Sequence, residues 1–290
     1  MRSVRFKSFS SGSCGNCYFL GLEEDGVWTD AVLFDAGVSL RSVKRELLSE
    51  HIPLDCIRAM LITHDHFDHI RSLGSYCKYL GLPVWATGEL LEAMSHHTYT
   101  LEHLAAVRRP LVRDAWNEII PGILSARYFV VPHDATQTVG YGIRFAGLNF
   151  VIMTDLGRMT PEAMAFAAHA DVVVLESNYD REMLMNGSYP RELKLRISQG
   201  SGHLSNEECA QAVRVFYHKG LTHLFLCHLS ENNNTPELAI KATSDALADI
   251  GLLPSYERSS YYASESGDSV VMQPLPRRTP SRLFTLREEG

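Results

Sequence analysis

The chain has no apolar run long enough to span a bilayer, and no apolar core follows its opening Met1-Arg2-Ser3-Val4-Arg5. Those absences speak against a helical membrane protein and against a secretory signal, so the expected location is the cytoplasm. Basic charge is also short: 27 Lys and Arg stand against 34 Asp and Glu, a formal net charge of -7. That argues against a surface coated for nucleic acid, although a local basic patch or bound cations can supply the attraction. Cysteine is sparse. Cys14 and Cys17 form a C-x-x-C, and no second pair completes a four-thiolate zinc site. The pair reads as two small residues in a Ser/Gly-rich turn. Cys56, Cys77, Cys209 and Cys227 read as reduced core thiols. There is no short-period repeat or low-complexity tract.

What is present is an ordinary apolar fraction, 45% of 290 residues, enough for one large domain or two small ones. Short strands are expected at Val4 to Ser8, Tyr18 to Leu20 and Ala31 to Phe34. A helix follows with Leu40, Val43 and Leu47 on one face, and then the buried strand Ile57 to Thr63. Residues 88–120 read as a helical insertion bounded near its end by Pro110 and Pro121. Strands resume at Arg127 to Val131, and Gly140 to Phe145 with Leu148 to Met153 makes a hairpin around Ala146-Gly147. Val172 to Leu175 and Leu224 to Cys227 are further buried strands, and a last one is expected near Ser255 to Tyr261. Thr160-Pro161 and the capping box Ser205 to Glu208 start helices. The pattern suits a mixed α/β sandwich with helices outside two sheets. The catalytic domain is expected to span 1–263. Residues 264–290, with Pro-Leu-Pro-Arg-Arg, are expected to form an extended or disordered tail.

The chemistry concentrates at His64-Asp65-His66-Phe67-Asp68-His69, directly after a strand and before a helix. Such a turn can aim His64 and His66 at one metal, and Asp68 and His69 at a second. Imidazole nitrogen and carboxylate oxygen suit zinc, manganese or iron(II). The competing reading is a polar loop that happens to be rich in histidine.

This segment resembles the H-x-H-x-D-H signature of the metallo-β-lactamase superfamily, and the other landmarks follow in order: Asp35, His133, Asp155 and His228, each at a strand end. The resemblance implies a four-layer αββα sandwich holding two divalent metal ions. It implies that His64, His66 and His133 hold the first and Asp68, His69 and His228 the second, with Asp155 bridging both. Asp35 would orient a ligand by hydrogen bond. A water activated between the two cations would be the nucleophile. A histidine at position 69 turns the reading away from the best-known β-lactamases, and one at position 66 turns it away from diiron oxidoreductases. A glyoxalase II-like thioesterase, or a lactonase, remains the alternative.

Ser10-Ser11-Gly12-Ser13-Cys14-Gly15-Asn16, Pro132-His133-Asp134-Ala135, Thr154-Asp155-Leu156-Gly157, Glu176-Ser177-Asn178 and Gly202-His203-Leu204-Ser205-Asn206 are similar to the YycJ (WalJ) family. One departure is Tyr179, where that family's pattern leads one to expect histidine. The resemblance implies a cytoplasmic 5′→3′ double-stranded DNA exonuclease with a role in DNA repair. His203-Leu204-Ser205 is also similar to the His-x-Thr motif of ribonuclease Z, so His203 would bind the scissile phosphate or protonate the leaving oxygen. Glu176 would pair with His203. The expected catalytic residues are thus Asp68, His203, Glu176 and Asp35. Asn16, Ser205, Lys194 and Arg196 are the expected phosphate contacts, Lys194 and Arg196 competing with a reading as solvated charge.

Overall fold

The structure is a computed structural model that describes residues 1–98, 100–255, 258 and 260–289. The first sheet takes, in chain order, β1 (Arg2–Gly12), β2 (Gly15–Glu24), β3 (Val27–Phe34), β4 (Ile57–Leu61), β5 (Val84–Ala86) and β6 (Arg108–Pro110). The second takes β7 (Asn117–Ile120), β8 (Leu124–Val131), β9 (Thr138–Phe145), β10 (Leu148–Met153), β11 (Val172–Glu176), β12 (His223–Cys227), β13 (Leu253–Pro254), β14 (Tyr261–Ala263) and β15 (Ser269–Pro274). Strand β16 (Phe284–Glu289) returns to the first sheet beside β1. Their orders are β16-β1-β2-β3-β4-β5-β6 and β13-β14-β15-β12-β11-β10-β9-β8-β7.

The reason for two stacked sheets is legible in the central strands. Strands β10, β11 and β12 are parallel neighbours and apolar on both faces, as strands covered on both sides are. Phe150, Ile152, Val172, Val174 and Phe225 face the first sheet, where Phe6 lies 4.8 Å from Phe225 and 5.5 Å from Phe150, ring centre to ring centre. The alternate residues Val151, Val173, Leu175, Leu224 and Leu226 pack with Ala163, Val213, Phe216 and Leu247 from the helices Pro161–Ala167, Asn206–Phe216 and Pro236–Ala248. Period-2 alternation between two hydrophobic layers gives the four-layer αββα sandwich.

Two boundaries differ from expectation. Residues 88–120 hold the helices Gly88–Ser95 and Leu101–Val107, but β6 and β7 as well, so this segment carries the chain from one sheet to the other. The tail is no tail. β15 pairs parallel with β12, and β16 pairs antiparallel with β1. Its polar composition reflects a half-buried strand: Val270 and Met272 point inward while their neighbours do not. The last strand before it lies at Tyr261–Ala263, and residues 256, 257 and 259 of the expected one lie outside the described residues.

The closing strand also completes a buried ion pair. Lys7 is 1% exposed, and its Nζ reaches Glu46, Glu50 and the carbonyl of Ser281 at 2.9, 2.6 and 2.7 Å. Deleting residues 281–290 removes that carbonyl, uncovers Phe284's packing against Phe6 and Phe225, and leaves β1 as an open edge. Two large apolar side chains, Phe284 and Leu286, leave the core, at roughly 1.5–3 kcal/mol each. The expected result is a Tm lowered by about 10 °C, at roughly 2–4 °C per kcal/mol for a chain of this size, with aggregation on refolding; calorimetry and light scattering check it.

Candidate metal centre and active site

The strands β3, β4, β8, β10, β11 and β12 all end at one rim of the sandwich, where parallel sheets place their sites. Asp35 follows β3, the cluster from His64 follows β4, and His133 follows β8. Asp155, Glu176 and His228 follow or end β10, β11 and β12. Asp35, Asp155 and His228 each turn there with positive φ, at 59°, 53° and 52°. None is glycine, and such strain persists where surrounding contacts over-determine it. Seven side chains named from the sequence converge in overlapping groups: His64, His66 and His133; His64, His69 and Asp155; Asp68, His69 and His228. A further group joins Asp155 and His228 to Glu176 and His203.

Each imidazole is fixed from behind. Thr63 Oγ1 donates to Asp35 Oδ2 at 2.9 Å, so it accepts from His64 Nδ1 at 3.0 Å. His69 Nδ1 donates to Asp35 at 2.8 Å, and His133 Nδ1 to the Gly202 carbonyl at 2.6 Å. His66 Nε2 meets the Asp134 carbonyl at 3.3 Å. His228 Nδ1 and His203 Nδ1 both donate to Glu176 Oε1 at 2.8 Å. The opposite nitrogen of every ring is left to the centre of the cluster, the tautomer that metal-ligating histidines adopt.

The fit to cations shows in what is unmet. His64 Nε2, His228 Nε2 and Asp155 Oδ2 are buried without a hydrogen-bond partner. His66 Nδ1 and His133 Nε2 lie 3.3 Å apart, two lone pairs with no proton between them in these tautomers. Burial, then the neighbouring His69, pushes the His64 pKa well below its ordinary value, and burial likewise lowers His133, which favours the neutral rings. Burial opposes charge on His69 as well, but Asp35, Asp155 and Asp68 outweigh it and raise its pKa to about 10. Burial is outweighed again at His228, raised by Asp155, Asp68 and Glu176. Four carboxylates, Asp35, Asp68, Asp155 and Glu176, thus gather around the buried histidines. Divalent ions suit such a donor set.

Two expected catalytic carboxylates are hydrogen-bonded to histidines. Asp35 is fully buried and spends both oxygens on Thr63 and His69. Glu176 is fully buried too; beyond the two histidines, its Oε2 accepts from the backbone N–H of Leu156 and Leu204 at 3.0 and 3.1 Å. Burial alone would lift its pKa, but His203, then His228, hold it below the usual carboxylate range. Burial would in turn lower His203; Glu176 and Asp155 raise it instead. His203 lines a cavity of about 270 Å³ together with His66, Asp68, His133, Asp155 and His228. With Nδ1 committed to Glu176, Nε2 is the atom His203 can present to a substrate.

The expected phosphate contacts divide. Arg196 lines the cavity and pairs with Asp134. Lys194 donates to the Met185 carbonyl and does not line it. Asn16 is fully buried beneath the cluster: its Nδ2 donates to the Gly12 carbonyl and to Asp68 Oδ2 at 3.1 and 3.2 Å, and lies 2.9 Å from His69 Nε2. Its side chain is turned toward Asp68 and His69 and does not line the cavity. Ser205 is also buried, its hydroxyl and amide consumed by the capping box with Glu208. Cys17 lies in the core, where burial raises its thiol pKa, so the C-x-x-C presents no pair of thiolates.

Residues that sequence reasoning passed over complete the site. Thr63, Asn178 and Ser11 hold His64 and His228: Asn178 Nδ2 donates to the His228 carbonyl at 2.7 Å, and Ser11 Oγ accepts from the His228 N–H at 2.9 Å. Gly37 shows why a loop can come so close. A Cβ there would stand 1.7 Å from the Asp68 carbonyl and 2.5 Å from the Asn16 nitrogen, both backbone atoms. Gly37→Ala is expected to push the Asp68-His69 turn outward. Metal analysis should then show at least half of the wild-type metal lost, with a lowered Tm, while folded secondary structure persists by circular dichroism.

Such a fold and donor set define a metal-dependent hydrolase. Residues 30–228 match the beta-lactamase superfamily domain, and the chain belongs to that superfamily. It is 31% identical over 248 residues to the exodeoxyribonuclease WalJ of Streptococcus pneumoniae serotype 2 and 29% identical over 248 residues to the exodeoxyribonuclease YycJ of Bacillus anthracis; each alignment covers 86% of this chain and 90% of the relative. Among solved structures it is similar to the metallo-beta-lactamase fold protein YhfI of Bacillus subtilis, with TM-score 0.65, 14% identity and coverage of 98% and 99% of the two chains. It is also similar to the Zn(2+)-bound PqqB of Methylobacterium extorquens, with TM-score 0.63, 18% identity and coverage of 96% and 99%.

Proposed function

We propose that the chain is a two-metal phosphodiesterase that hydrolyses DNA, acting as a 5′→3′ exonuclease on duplex ends in cytoplasmic DNA repair. The observation that carries this reading is the Glu176–His203 pair, set in the same cavity as the ligand cluster. An alkoxide leaving group of a phosphodiester needs a proton, whereas a thiolate leaving group does not, so a thioesterase has no use for His203. The names of the relatives in Streptococcus pneumoniae and Bacillus anthracis support DNA as the substrate.

In this reading His64, His66 and His133 would hold one divalent ion and Asp68, His69 and His228 the other, with Asp155 available to both. Zinc, manganese or iron(II) fits the nitrogen and oxygen donors. When bound, the ions supply positive charge to the phosphoryl group and to the attacking water. The chain's own residues do the rest. Asp35 and Glu176 keep His69 and His228 in one tautomer and one orientation. His203 Nε2 delivers a proton to the departing oxygen, and Glu176 stabilises the charged ring before transfer. Arg196, freed from Asp134, contacts the phosphate next to the one cleaved.

The test is hydrolysis of end-labelled duplex DNA and of a thioester by purified protein with manganese or zinc, comparing wild type with Asp68→Ala. Metal-dependent shortening of the duplex from its 5′ ends, lost in the variant, is expected. Thioester turnover with no DNA cleavage under either metal sinks the proposal.

A further inference from the structure

The Pro-Leu-Pro-Arg-Arg segment packs against the turn between β1 and β2. The Ser11 N–H donates to the Pro276 carbonyl at 3.1 Å. The Arg277 carbonyl accepts from Ser10 Oγ at 2.6 Å and from Cys14 Sγ at 3.3 Å. From the other side, Arg71 Nη2 donates to the Cys14 carbonyl, and its Nε donates to Gly37. The hairpin turn between β1 and β2 is therefore clasped by two arginines, and Ser13 at its tip lines the cavity. Ser230 lines the cavity as well, and the adjacent Glu231 receives both Arg277 and Arg278, at 2.9 and 2.7 Å.

The charge at this rim does not balance. Arg277 and Arg278 share the single carboxylate of Glu231, and Arg71 has no carboxylate partner among the described residues. Arg277 Nε is buried without a hydrogen-bond partner. Arg278 is 62% exposed and Glu231 49% exposed, so the pair between them is solvated and cheap to exchange. A chain with a net charge of -7 thus sets three arginines against a single carboxylate beside the turn and the loop whose Ser13 and Ser230 line the cavity. Planar guanidinium groups match phosphate oxygens bidentately.

We propose that Arg71, Arg277 and Arg278 form a second phosphate-binding subsite, which holds the DNA backbone away from the cleaved bond. Glu231 is its resident competitor. In the free protein Glu231 occupies the two C-terminal arginines; a backbone phosphate displaces it on binding. This subsite rests on the nucleic-acid reading above.

The experiment measures KM for an end-labelled duplex between 50 and 200 mM salt, as about the range in which counterion release is legible, using metal-loaded wild type, Arg278→Ala, Arg277→Ala/Arg278→Ala and Glu231→Gln. Arg278→Ala should raise KM by about tenfold and flatten the salt dependence by about one phosphate contact. The double variant should go further in the same direction. Glu231→Gln should lower KM, an opposite sign that simple damage to the turn would not produce. Unchanged KM and salt slope in Arg278→Ala and Glu231→Gln, in an enzyme that cleaves the duplex, overturn the subsite alone. A wild-type enzyme that hydrolyses the small diester bis(p-nitrophenyl) phosphate but no duplex overturns the nucleic-acid reading, and the subsite with it.

Discussion

Asp155→Asn is expected to abolish turnover and to leave the protein folded. Asparagine tolerates the positive φ of 53° that this position requires, so the backbone has no reason to move. What changes is charge. Asp155 is 2% exposed, with Oδ1 3.3 Å from His228 Nδ1 and 3.7 Å from His133 Nε2, and Oδ2 3.2 Å from His69 Nε2 without the angle of a hydrogen bond. Among the described residues it is the one carboxylate that touches the histidines of both ligand groups. Burial opposes its ionisation, yet His228 and His69 hold its pKa well below the usual carboxylate range. A neutral amide removes that anion from a buried site. Uncompensated buried charge costs about 3–5 kcal/mol, which is roughly two to three decades of cation affinity. Metal analysis after dialysis should show less than one ion per chain, and diester hydrolysis should fall to background. Full metal content with retained turnover would remove Asp155 from its proposed role.

The parts of this site that were legible in sequence share one property: the chemistry and the placement come from neighbouring residues. His64 to His69 follow a strand closely enough that the turn itself aims them. His133, Asp155 and His228 could be read because each ends an apolar strand, and parallel strands end on the same rim. Thr63 sits beside His64 in sequence but carries no such signal, since a threonine ending a strand is ordinary. Gly202 contributes only a carbonyl, which no sequence records. The direction of the Asn16 side chain is hidden from the sequence for a related reason. A Ser/Gly-rich stretch reads as an anion-binding loop, whereas here it is the end of β1 and the start of β2, and its amide turns inward. Ser205 carried the correct signal all along: the capping box it forms with Glu208 already consumes its hydroxyl. The C-terminal strands escaped because half-buried strands at the margins of a sandwich are polar enough to resemble a tail. Their burial depends on Phe6, Phe225 and Leu226, which lie far off in sequence.

Glu176→Gln and His203→Ala separate two roles that converge on one carboxylate. Glu176 accepts four hydrogen bonds, from His203, His228, Leu156 and Leu204. Glutamine has one acceptor oxygen, so at least one pair of these donors would face an amide NH2. Each buried donor left unmet costs about 1–3 kcal/mol. If the oxygen stays toward the backbone, both histidines lose their partner, and His228 is free to adopt the other tautomer. Loss of such a partner weakens metal binding or activity by about 10- to 100-fold. His203→Ala replaces no residue proposed to hold metal, and it removes the proton donor, worth about 10²–10⁴-fold in rate. The expected pattern is therefore asymmetric. His203→Ala keeps two ions and wild-type KM, and its defect shrinks when the diester carries a nitrophenolate leaving group, which departs without a proton. Glu176→Gln loses metal and stability as well, so its defect persists on that substrate. Equal defects of the two variants on activated and unactivated diesters would show that His203 positions the site and donates no proton.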